Sequence, residues 1–222
     1  MEKEIIDTYQ VLAARAEGEY KEKGSKFLAY AYPISSIEDF EYCLEEVKSV
    51  HPKARHHCYA YRLGIEGDVF RANDDGEPSG TAGKPILGQL LSQDLSDTLV
   101  VVVRYFGGTK LGASGLIRAY KDATFDAIAK ANKKNKVLSD EFKLTFDYGE
   151  MGHVLNVIKS LHLTITKKVF ETIPYVVVDV PRSQTHKSIT QLKSKLLNIS
   201  EEQINDETEI PFCTIEQILD DD

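Results

Sequence analysis

The side chains able to do chemistry crowd into one block, from Arg55 to Arg118. It holds RHHCYAYRLG at 55–64, DDGEPSGTAGK at 74–84 and VVVVRYFGGTKLGASGLIRAY at 100–120. Glycines beside fixed charges suit a backbone that a partner must approach closely.

The run Arg104 to Gly115 passes from an apolar strand pattern into a helical one. Helix N-termini carry unpaired N–H groups and a positive dipole end, so they attract anions. Gly107, Gly108, Gly112 and Gly115 would let a phosphate reach the backbone. Ser114 adds a hydroxyl, and Arg104, Lys110 and Arg118 add positive charge. The competing reading is a tight turn with close helix–sheet packing, its basic residues solvated or paired with Asp74 and Asp75.

The loop at 74–84 offers a second anion contact through Ser79, Thr81 and Lys84. It departs from the phosphate-binding G-x-x-x-x-G-K-[ST] loop at both ends. Pro78 replaces the first glycine, and Pro85 stands where a hydroxyl would hold magnesium, which argues against a nucleotide triphosphatase. Asp74, Asp75 and Glu77 either hold a hard cation or form a solvated turn with a helix cap.

On a strand, His56 and Cys58 share one face with Arg62, while His57, Tyr59 and Tyr61 share the other. Zinc needs about four ligands, and no C-x-x-C pair supplies the rest. Cys58 is either a nucleophile whose base comes from elsewhere, since His57 points away, or a small core residue. Tyr59, Tyr61, Tyr105 and Phe106 either stack on bases or fill a core. No metal or cofactor is expected. Catalytic roles stay unassigned, with His56, Cys58, Asp74, Asp75 and Glu77 as candidates.

These residues need a frame. The spacing predicts strands at Tyr9–Ala14 and Lys26–Tyr32, then an amphipathic helix over Ser36–Val50 capped by Ser35 or Ser36. Arg55–Arg62 reads as a strand with Asp68–Arg71 as its hairpin partner. A short helix begins near Pro85, Leu99–Val103 is a central strand buried on both faces, and Leu111–Ala131 is a long helix. The stretch 129–140 reads as a helix end and linker. Beyond it come a strand at Lys143–Tyr148, a helix at Glu150–His162 and two strands at Leu163–Glu171 and Ile173–Val180. A helix at Ser183–Leu197 and a strand at Ile210–Ile215 complete the β-α-β-β-α-β order of a ferredoxin-like fold. The expectation is an α+β protein with domains at 1–136 and 137–222.

Composition narrows function. With 42% hydrophobic and 28% charged residues in 222, the chain has an ordinary globular balance. No stretch approaches the ~20 apolar residues of a membrane span. The opening MEKEIIDTYQ is unlike a signal peptide. Three widely spaced cysteines imply no disulfide framework, so a cytoplasmic location is expected. The net charge of −8 is uneven. Residues 1–136 carry 19 Lys+Arg against 20 Asp+Glu, and residues 137–222 carry 8 against 15. An anion site should therefore be local and in the first part. Neither sequence-specific DNA binding nor a membrane partner is expected.

HHCYAYRLG at 56–64, DDGEPSGTAGKPIL at 74–87 and VVVVRYFGGTKLGASGLIRAY at 100–120 resemble the signature of the IMPACT family in its bacterial two-domain form, over roughly residues 18–130. The resemblance implies a first domain like domain 2 of ribosomal protein S5 and domain IV of elongation factor G. It implies a ferredoxin-like second domain like that factor's C-terminal one. Eukaryotic relatives regulate translation by competing for a stress kinase's activator and carry an N-terminal RWD domain, for which no room is expected before residue 18. Two functions follow. One is a non-enzymatic regulator bound to RNA, the ribosome or a translation-related protein. The other is an enzyme acting on a small phosphorylated or nucleotide substrate.

Overall fold

The computed structural model describes residues 7–219. Most of the MEKEIIDTYQ opening lies outside them. The described residues separate into two compact units, with the division after Lys136 and Asp7 grouping with the second.

The first unit opens with β1 (Thr8–Leu12), β2 (Ala16–Glu22) and β3 (Ser25–Pro33). Next come α1 (Ile37–Val50), β4 (His56–Leu63) and β5 (Val69–Asn73). It continues through α2 (Gly83–Ser92), β6 (Thr98–Tyr105) and α3 (Gly112–Lys130), and ends in β7 (Lys133–Val137). Five strands form one antiparallel sheet in the order β2-β3-β6-β4-β5.

The Val run of β6 is central, and its alternate side chains serve two cores. Val100 and Val102 pack with α2 and α3, through Ile86, Leu90, Leu116 and Tyr120. Leu99, Val101 and Val103 pack against Phe40, Cys43 and Val47 of α1. Helices cover both faces, so an antiparallel strand can be apolar throughout. Ser36 caps α1 by accepting a hydrogen bond from the Asp39 N–H at 3.1 Å.

The second unit runs β8 (Ser139–Phe146), α4 (Met151–Ser160), β9 (Thr164–Val169), β10 (Tyr175–Pro181), α5 (Thr185–Leu197) and β11 (Cys213–Ile218). Its sheet order, β11-β8-β10-β9, completes the ferredoxin-like arrangement. Leu144, Val176 and Val178 of the sheet pack with Val154 and Ile158 of α4 and with Leu192 of α5.

Two elements of the first unit differ from expectation. The sequence AEGEYKE gave no strand signal, yet it forms β2. Gly18 is the reason the strand can sit there, since a Cβ would lie 2.3 Å from the backbone nitrogen of Ala127 in α3. Ala119, Ala123 and Ala127 keep that helix surface low. The expected linker contains β7, which pairs with β1 although all five of its residues are exposed. Lys136 donates to Asp97 and Lys133 to Gln93, which anchors a strand that has no apolar face. Boundaries also move: α2 begins at Gly83 rather than near Pro85, β8 at Ser139 rather than Lys143, and β11 at Cys213 rather than Ile210.

Candidate functional site

Strand pairing brings the three motifs to one end of the first sheet. His56, at the start of β4, lies opposite Arg104, near the end of β6. β5 runs antiparallel to β4, so its continuation, the acidic turn at 74–81, emerges at the same end.

Two acids of that turn, Asp74 and Glu77, point inward, while the Asp75 side chain is 44% exposed. Asp74 accepts hydrogen bonds from the backbone N–H groups of Gly80 (2.8 Å), Ala82 (2.9 Å) and Gly83 (2.8 Å), and so caps α2 from a distance. Burial pushes its carboxyl up, but these three donors outweigh burial and hold it below the usual aspartate value. Asp75 sits at φ 39°. Its carboxylate accepts the His57 N–H at 2.6 Å, and its carbonyl takes the His56 Nδ1 hydrogen at 2.8 Å. Glu77 is buried and accepts from Arg104 Nη1 at 2.6 Å and from the Tyr120 hydroxyl at 2.8 Å.

Cys58 belongs to the same buried chain. Its thiol donates to the Asp74 carbonyl at 2.9 Å and lies 3.3 Å from the Tyr120 hydroxyl. Burial pushes both the thiol and the Tyr120 phenol well above their ordinary values. A thiol held protonated in a core is a poor nucleophile. The five candidate chemical groups are thus tied by hydrogen bonds into the fold, and His56 also lines the cleft described below. Among the described residues, no group of three or more His, Cys, Asp or Glu is arranged to hold a metal ion.

The glycine loop divides into two parts. A Cβ on Gly107 would fall 1.9 Å from the carbonyl carbon of Gly24 in the β2–β3 turn, so Gly107 serves close packing. Gly108 (φ 89°) and Gly112 (φ 73°) face open space and need glycine for backbone conformation alone. A Cβ on Gly115 would meet only the Leu111 side chain, at 3.0 Å. Ser114, Lys110 and the α3 N-terminus are exposed, and no side chain caps that terminus.

The basic candidates separate likewise. Arg104 is not a free cation, because it pairs with Glu77 rather than with Asp74 or Asp75. Arg118 pairs with Asp122 at 3.3 Å on the α3 surface. Thr81 is buried with its hydroxyl on the Pro78 carbonyl, while Ser79 and Lys84 are exposed. Among the described residues, the side chains of Lys53, Arg55 and Lys110 are exposed and make no hydrogen bond or salt bridge, while the charge of Lys84 helps to hold the Asp74 carboxyl down. Lys53 and Arg55 were not singled out from the sequence. They line a cleft of about 440 Å³ with His56, Arg104, Tyr105 and Phe106. Their signal was proximity to the motif His56-His57-Cys58, a few residues downstream.

Comparison with known proteins agrees with this motif geography. The Impact N-terminal domain family matches residues 23–128. An IMPACT family member of Haemophilus influenzae is 34% identical over 189 residues, 81% of this chain and 92% of that relative. The chain belongs to the IMPACT family. The IMPACT family member YvyE of Bacillus subtilis is 35% identical over 155 residues, 70% of this chain and 71% of YvyE. A crystal structure of a hypothetical protein superposes with a TM-score of 0.66 at 26% identity, covering 98% of this IMPACT-family chain and 100% of that one. The family match encloses every residue of the cleft and of the Cys58–Tyr120–Glu77–Arg104 network. The matched range lies wholly within the first unit. Among the described residues, no helix is long and apolar enough to cross a membrane.

Proposed function

We propose that this chain is a non-enzymatic, translation-related regulator that works in the cytoplasm. It binds RNA, the ribosome or another phosphate-bearing partner through the motif-bearing end of its first unit. One observation carries this reading. Asp74 and Glu77 are consumed internally by the α2 cap and by Arg104, while Lys53, Arg55 and Lys110 are exposed and make no hydrogen bond or salt bridge among the described residues. A surface that is near neutral in formal count thus presents positive charge locally, which suits phosphates. The translational context is what the family resemblance implies. In support of a binding role without catalysis, the thiol and carboxylates that could do chemistry are hydrogen-bonded into the fold.

Co-sedimentation with ribosomes and with total RNA across a salt series tests it. Binding should be present at low salt and weaken steeply between about 50 and 200 mM. No co-sedimentation at low salt would remove the reading.

A further inference from the structure

The cleft beside Arg104 has a composition that the glycine loop lacks. Lys53 and Arg55 enter from the segment between α1 and β4, and His56 from the first position of β4. Arg104, Tyr105 and Phe106 enter from the end of β6. No carboxylate lines it. Its volume of about 440 Å³ falls within the roughly 300–1,000 Å³ of small-ligand sites.

Three details describe an occupant. First, Arg104 is 8% exposed, and its Nε is buried without a hydrogen-bond partner, although Nη1 is held by Glu77. The guanidinium is thereby fixed in place at the cleft wall. Second, Phe106 is 59% exposed, and the Arg104 guanidinium carbon lies 5.5 Å from its ring centroid. A phenyl ring backed by a cation and open to solvent is a platform for a flat aromatic group. Third, the His56 Nδ1 hydrogen is directed to the Asp75 carbonyl, which can only accept. Nε2 is therefore the ring nitrogen left to meet a ligand.

Resting on the reading above, we propose that this cleft is a nucleotide subsite for single-stranded RNA. One base stacks on Phe106, and the adjoining phosphates lie against Lys53, Arg55 and the rim of Arg104. An aromatic platform beside a cationic groove binds single strands with little sequence preference, whereas a duplex keeps its bases stacked inside.

Fluorescence anisotropy of a labelled ten-nucleotide oligouridylate, titrated with the full chain in a salt series, tests the proposal. Phe106→Ala should weaken binding by roughly 5- to 150-fold, the loss of one stacked base, with the salt slope unchanged. Phe106→Trp should restore it. The double variant K53A/R55A should lower the salt slope by about 1.4, as expected for two single-strand phosphate contacts. These three residues are exposed, so the variants should keep the native circular dichroism spectrum.

Suppose the oligonucleotide binds and only K84A/K110A weakens it, with Phe106→Ala and K53A/R55A unchanged. The cleft assignment is then overturned while the RNA reading stands. If uridine monophosphate competes at concentrations equal to the oligonucleotide, the site is one for free nucleotides and the strand proposal falls. No binding by the unmodified chain at low salt removes both.

Discussion

Arg104 Nη1 donates to Glu77 Oε1 at 2.6 Å, with the two side chains only 8% and 4% exposed. The pair joins the end of the central strand to the acidic turn, and Tyr120 of α3 supplies a further hydrogen bond to the same carboxylate oxygen. Breaking one half leaves a buried charge uncompensated. Glu77→Ala should cost about 3–5 kcal/mol in urea unfolding, while E77M/R104M together should cost markedly less. Equal losses from the single and the double variant would show that packing around Glu77, and not the ion pair, carries the energy.

Neighbouring glycines should respond differently to alanine. Gly107→Ala forces a Cβ into the Gly24 backbone and should cost about 3 kcal/mol or more. Gly108→Ala meets no atom within 4 Å and pays only for its φ of 89°, about 1–2 kcal/mol. Melting temperatures of the two variants, compared side by side, check this ordering.

Asp74 holds three backbone donors at the start of α2, so Asp74→Ala should destabilise by about 1–3 kcal/mol. Its folded value lies below that of the unfolded chain, near 3.9. The contribution is therefore complete above about pH 4 and is lost as pH falls through the depressed folded value. Acid titration of stability should show a shallower decline in the variant than in the native chain.

Burial lowers the proton affinity of both His51 and His57. His57 Nε2 is buried without a partner, and His51 lies between the hydroxyls of Tyr30 (2.6 Å) and Tyr105 (2.9 Å). In the unfolded chain, histidine takes up a proton near pH 6.5. Between that pH and the lower folded values, unfolding binds protons, so stability should fall as pH drops below about 6.5. His57→Leu should flatten part of that slope in thermal melts from pH 7.5 to 5.5.

All three cysteines are buried and free, and burial pushes the Cys213 thiol up to about 12. A thiol reagent should modify none of them in the native protein and all three in urea. Fast labelling of Cys58 before unfolding would contradict the closed network around it.

The sequence was most informative where side chains declare their surroundings. The alternation of His57, Tyr59 and Tyr61 against His56, Cys58 and Arg62 assigned the two faces of β4, and a helix cap at Ser35 or Ser36 was readable from residue type. β2 and β7 were missed: the inward face of β2, Ala16, Gly18 and Tyr20, holds only one large side chain, and β7 has no apolar face. One is placed by a glycine that admits a helix backbone, the other by ladder bonds and two lysine anchors. At the site, the glycines and charges of 74–84 and 104–118 stood out as a cluster, but burial decides what each one does. No local pattern distinguishes Arg104, locked to Glu77, from Arg55, which is free to meet a ligand. Pairing partners some 30 residues apart make that distinction.

The β1–β7 pair joins positions at the two extremes of the first unit. Ala13 donates to the Asn132 carbonyl across this seam at 2.8 Å. Closing a loop of more than about a hundred residues costs too much chain entropy to precede the sheet and helices between. The seam should therefore form late in folding. The amide proton of Ala13 becomes a reporter of completion, gaining protection from hydrogen exchange only after the amides of β6 have gained theirs.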